Sequence, residues 1–67
     1  MVRLTLNGEE RRFDGVCTIA ALVAALQLNT RKVAVERNLT IVPRSAYDAT
    51  PLADGDRIEI VAFVGGG

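Results

Sequence analysis

The 67 residues are 49% apolar, enough for one small core and too many for an intrinsically disordered chain. Eight Lys/Arg balance eight Asp/Glu, and the charges are scattered rather than blocked, which leaves a general nucleic-acid or membrane-surface role without support. The chain has no histidine and a single cysteine, Cys17, which excludes His-based triads, histidine-ligated zinc and an intrachain disulfide.

Val2, Leu4 and Leu6 alternate with Arg3 and Thr5, the period of a half-buried strand. Asn7-Gly8 follows, a hairpin signal because both residues tolerate positive φ. Glu10 to Asp14 returns as the second strand, with Phe13 as its one large apolar side chain and charges that suit a sheet edge. Thr18 has the chemistry of a helix N-cap, and Ile19, Leu22, Val23 and Leu26 fall at i, i+3, i+4 and i+7 on one apolar stripe. Alanines at 20, 21, 24 and 25 raise helix propensity, and Asn29 is the expected left-handed stop. Cys17, just before the cap, is expected to be structural, packing on Leu22 as a hydrophobic staple. Lys32 to Glu36 reads as a third strand and Leu39 to Val42 as a short fourth, with Arg37-Asn38 turning the chain between them. Pro43 keeps the fourth strand out of a central ladder. Arg44 to Asp48 fits a single helical turn anchored by Tyr47, and Leu52 plugs the same end of the core. Asp54-Gly55-Asp56 is a tight turn, and Arg57 to Val64 is the longest strand. Its Ile58, Ile60, Ala62 and Val64 share one face, and Arg57, Glu59, Val61 and Phe63 the other.

Then come Gly65, Gly66 and Gly67. Three glycines maximise the entropy lost on ordering, so they do not serve a folded core. They form a thin tail, reaching about 10 Å when extended, which another enzyme's active site can thread to activate the Gly67 carboxylate. The division is a domain over residues 1–64 and a flexible glycine tail over 65–67. Hairpin, helix, then strands is an α+β order: a mixed sheet of four to five strands with one main helix on one face. A right-handed crossover sets the first and last strands parallel and central, the plan of a β-grasp, or ubiquitin-like, fold.

Val33 to Asn38, Ile41-Val42-Pro43-Arg44-Ser45, Leu52 to Val61 and the Val64-Gly65-Gly66-Gly67 ending resemble the ThiS sulfur carriers of bacterial thiamin biosynthesis, over the whole chain. The resemblance implies a carrier, not an enzyme, whose terminal glycine, Gly67 here, is adenylated and converted to a thiocarboxylate. It implies no bound cofactor, with ATP used by a ThiF-like adenylating partner. A sulfur donor enzyme and a ThiG-like thiazole synthase as acceptor complete the set. Two positions depart from the family pattern. Asn38-Leu39 stands where Asn-Gly is common, and because leucine resists positive φ a different turn type is expected. Tyr47 stands where tryptophan is common.

A molybdopterin-synthase small subunit, a related β-grasp carrier, is the nearest alternative, and an isopeptide-linked ubiquitin-like modifier is another. The opening Met1-Val2-Arg3-Leu4 lacks the plan of a signal peptide, and the longest apolar run, Ile19 to Leu26, is too short for a bilayer. Cytosol is the expected compartment. Val61 and Phe63, opposite the face that meets the helix, are the expected partner-binding residues.

Overall fold

The computed structural model describes residues 1–63. Val64, Gly65, Gly66 and Gly67 lie outside the described residues, and with them the boundary between domain and tail. Five strands appear in chain order: β1 (Val2–Leu6), β2 (Glu9–Phe13), β3 (Val33–Arg37), β4 (Thr40–Val42) and β5 (Arg57–Ala62). One helix, α1 (Ile19–Ala25), follows the first hairpin, and 3-10 turns occupy Thr30–Lys32 and Arg44–Ala46. The sheet order is β2-β1-β5-β3-β4, with β1 parallel to β5 and the other pairs antiparallel. The expected architecture is therefore present. First and last strands are parallel, β5 is central, and charged β2 is an edge.

Alternation decides which residues meet the helix. Val2, Leu4 and Leu6 of β1, Ile58 and Ile60 of β5, Val33 and Val35 of β3, and Val42 of β4 are buried together against Ile19, Leu22 and Val23. Tyr47 closes one end of this core, with Leu52 packed beside it. Ala62 pairs with Val33 and so keeps the core-side orientation, but it is exposed.

Seven residues are too few for a helix to persist alone in water. Its first amides are satisfied from outside the helix instead. Thr18 Oγ1 accepts from the Ala21 N–H at 3.1 Å. The Ile19 and Ala20 N–H groups donate to the Thr50 and Tyr47 carbonyls at 3.1 and 3.0 Å. The loop that carries Tyr47 thus caps α1 as well as filling the core.

Three local expectations are corrected. The left-handed residue after the helix is Gln27, at φ +60, not Asn29; Asn29 sits at φ −88, where its side chain caps the 3-10 turn by accepting from the Arg31 N–H at 2.9 Å. Cys17 is exposed rather than stapled onto Leu22. Its carbonyl is engaged by the Leu52 N–H at 2.9 Å, and Val16 supplies the apolar contact with the core at this point. Leu39 does adopt positive φ, +72 beside Asn38 at +52, so the β3–β4 turn has the two left-handed central residues of a type I′ turn. The ladder explains this. Arg37 pairs with Thr40, leaving two residues for the reversal, and among two-residue turns the primed types match strand twist.

Candidate functional site

The candidate site is the end of β5, where the chain leaves the sheet. Two polar devices fix that strand, one at its start and one past its middle. At its start, Asp56 is 6% exposed yet charged. Its Oδ2 accepts from the Arg37 Nε at 2.8 Å and the Ala53 N–H at 2.9 Å, and its Oδ1 from the Asn38 Nδ2 at 3.0 Å. Burial pushes this carboxyl's pKa up, but the Ala53 amide, the Asn38 amide and the Arg37 guanidinium together outweigh burial and hold it below the ordinary carboxylate value. Asn38 then spans the turn and the strand: its Oδ1 accepts from the Arg57 N–H at 2.9 Å, while its own N–H donates to the Arg57 carbonyl at 2.7 Å.

Along the strand, the backbone groups of β5 alternate between its neighbours. Asn38 and Lys32, flanking β3, bond to Arg57 and Phe63. On the β1 side, the Thr5 N–H donates to the Asp56 carbonyl and the Asn7 N–H to the Ile58 carbonyl, both at 2.9 Å. After Asn7, at φ +49, the chain reverses and β1 is gone. The Asn7 side chain then takes the place of the missing strand. Its Oδ1 accepts from the Ile60 N–H at 2.8 Å and its Nδ2 donates to the Ile60 carbonyl at 3.2 Å.

Beyond Ile60 the outward face becomes apolar. Val61 and Phe63 are 61% and 55% exposed, on the face opposite the core as the alternation requires. Ala34, paired with Val61, shares that face, as does Ile41, which lies opposite Glu36 and is 63% exposed. Glu36 and Glu59 stand directly across from each other in the middle of it. Of the residues singled out from sequence, Val61 and Phe63 are therefore placed side by side on an open surface, and Gly65, Gly66 and Gly67 lie outside the described residues. Asn7 and Asp56 read in the sequence only as turn residues. Their longer-range roles have no local signal beyond the Asn-Gly and Asp-Gly-Asp motifs. Among the described residues no group of three or more Cys, Asp or Glu side chains is placed to hold a metal ion.

A mixed sheet of five strands, opened by a hairpin and covered on one face by a single helix, is the β-grasp of ubiquitin-like proteins. Residues 4–67 match the model of the ThiS family, and the chain belongs to that family. A thiazole synthase of Paramagnetospirillum magneticum is 54% identical over 66 residues, which is 98% of this chain and 20% of that protein. The sulfur carrier protein ThiS of Bacillus subtilis is 45% identical, across 96% of this chain and 98% of its own. The chain thus spans about a fifth of the first relative and nearly all of the second. The crystal structure of the thiamine biosynthesis protein ThiS of Geobacter metallireducens superposes with a TM-score of 0.82 at 38% identity, covering 98% of this chain and all of that one.

Proposed function

We propose that this chain is a sulfur carrier of thiamin biosynthesis, acting in the cytosol, and that the Gly67 carboxylate is the group that carries the sulfur. The observation that supports this most directly is the ThiS match, which runs through the three glycines to residue 67. The chemistry needs two steps. A terminal carboxylate, with a pKa of about 3.5, is ionised at neutral pH and is a poor acyl electrophile. Attack of its oxygen on the α-phosphorus of ATP expels pyrophosphate and gives an acyl-adenylate. Hydrosulfide supplied by a donor enzyme then attacks the acyl carbon, AMP and a proton leave, and the carboxylate has become a thiocarboxylate. The chain contributes the acyl group and the reach of Gly65 and Gly66, and the catalytic groups belong to a ThiF-like adenylating partner.

Thiazole synthase is the proposed acceptor. A segment like this chain forms part of a protein of that name, which supports a working contact between the two. ThiS membership favours this branch over a molybdopterin-synthase small subunit. Val61 and Phe63 are the proposed docking residues, since an exposed aromatic beside a valine, next to the tail, can anchor a partner and set where the glycines enter its active site.

The test is incubation with MgATP and a ThiF-like enzyme, read by intact mass. The full chain should gain one AMP, and a chain lacking Gly67 should not while melting at the same temperature. An AMP adduct on the Gly67-deleted chain, or none on the full one, would count against the reading. Phe63→Ala should weaken partner binding by about 2 kcal/mol with little change in melting temperature. Unchanged affinity with a large stability loss would place Phe63 in the core instead.

A further inference from the structure

Asn7 does more than its turn requires. An Asn-Gly turn needs only two residues that accept positive φ, and glycine would meet that need at position 7 as well. The side chain instead reaches across 53 residues of sequence to close both backbone groups of Ile60, at 2.8 and 3.2 Å. Ile60 is the last residue of β5 that has a partner on both sides. The β1–β5 ladder ends at Leu6 and Ile58, and past Ile60 the strand is held by β3 and the residue before it, through the Phe63 N–H to Lys32 carbonyl bond at 2.7 Å.

We propose that Asn7 is a positioning residue for the reactive tail: where β1 has ended, its amide holds the second edge of β5 at Ile60, and so restrains the base from which the tail departs. This rests on the carrier reading above. A tethered group reacts at a rate set by how often it occupies the attack position, and that frequency falls as the base of the tether loosens. Glycines store no direction of their own, so the base of the tail must define it. Without the Asn7 amide, the Ile60 N–H and carbonyl would face an open edge, and β5 beyond Ile58 would be held from the β3 side alone.

The two functions of Asn7 can be separated. Asn7→Gly keeps the turn and removes both side-chain bonds. Asn7→Asp keeps an acceptor for the Ile60 N–H and removes the donor to its carbonyl. For Asn7→Gly the expected results are exchange of the Ile60 amide at least tenfold faster, a melting temperature within about five degrees of the parent, and a Kd for the adenylating enzyme within about twofold. The kcat for acyl-adenylate formation should fall roughly tenfold. Asn7→Asp should lie between, at roughly threefold, and it decides the matter should the glycine variant fail to fold. Parental kcat in a variant whose Ile60 amide exchanges freely would overturn the proposal, as would a loss accounted for wholly by Kd or by unfolding. A parent chain that is never adenylated would overturn the carrier reading instead, and the clamp would then stand or fall on the Ile60 exchange rates.

Discussion

The two hairpin turns of this protein are built on one plan and finished differently. Asn7-Gly8 and Asn38-Leu39 each place two residues at positive φ, with the asparagines at +49 and +52. Each asparagine sends its side chain to β5, Asn7 to Ile60 and Asn38 to Arg57 and Asp56. The second residues differ. Gly8 sits at φ +85 with no Cβ to strain, whereas Leu39 holds φ +72 with a branched side chain that is 73% exposed. The comparison teaches that tertiary bonds from the asparagine, together with the strand register, dictate the turn, and that the second residue tolerates rather than selects it. A left-handed leucine costs roughly 1 kcal/mol or more, which the Asn38–Asp56–Arg37 network offsets.

The largest effect should come from removing that network's anchor. Asp56→Asn deletes the charge that Arg37 and Asn38 converge on, and the melting midpoint in denaturant should reflect a loss of about 2–3 kcal/mol. Because the folded-state pKa of Asp56 lies below its unfolded value, its contribution is fully present above the unfolded value of about 3.9. It fades as pH falls through the still lower folded value. Parent and Asp56→Asn unfolding free energies should therefore converge under acid, and a gap that stays constant down to pH 2 would contradict the assignment.

A reciprocal exchange sharpens the comparison further. Leu39→Gly should stabilise the fold by about 1 kcal/mol, and Gly8→Leu should destabilise it by a similar amount. If the leucine variant of the first turn is neutral, the strain argument fails. At the small end, the two asparagines can be set against each other. Asn38→Gly should cost about 1 kcal/mol, because it strips a bond from a buried carboxylate, whereas Asn7→Gly should cost about half as much, its partners being neutral backbone groups near solvent. Equal costs would show that the charge on Asp56 does not distinguish the turns.

Much of this molecule was legible in its sequence because alternation and helical spacing are local. Val2, Leu4 and Leu6, the Ile19, Leu22 and Val23 stripe, and Ile58 with Ile60 all declared a buried face, and the structure buries them around one core with Leu26 half-buried at its side, whereas Ala62 is exposed. Val61 and Phe63 were legible for the same reason, as the odd members of an alternating strand. What escaped was long-range or sterically unexpected. Asn7 meets Ile60 and Asn38 meets Asp56 only because the sheet order brings β5 between the two hairpins, and no window of adjacent residues encodes that. Leu39 and Gln27 occupy left-handed positions where intrinsic preference pointed to Gly or Asn, a case of tertiary context overriding a weak local bias. Cys17 is polarizable and small enough to be buried, but its neighbour Val16 fills that role and leaves the thiol outside.

The carrier reading is tested most directly by the state of the protein in cells. Isolated intact from sulfur-replete cells of an organism making its own thiamin, the chain should show a fraction heavier by the exchange of one oxygen for one sulfur, localised by fragmentation to Gly67. That fraction should revert to the free acid when the thiazole-forming partner consumes it. Free acid alone under those conditions, or conjugates through Gly67 to lysines of other proteins, would contradict the account.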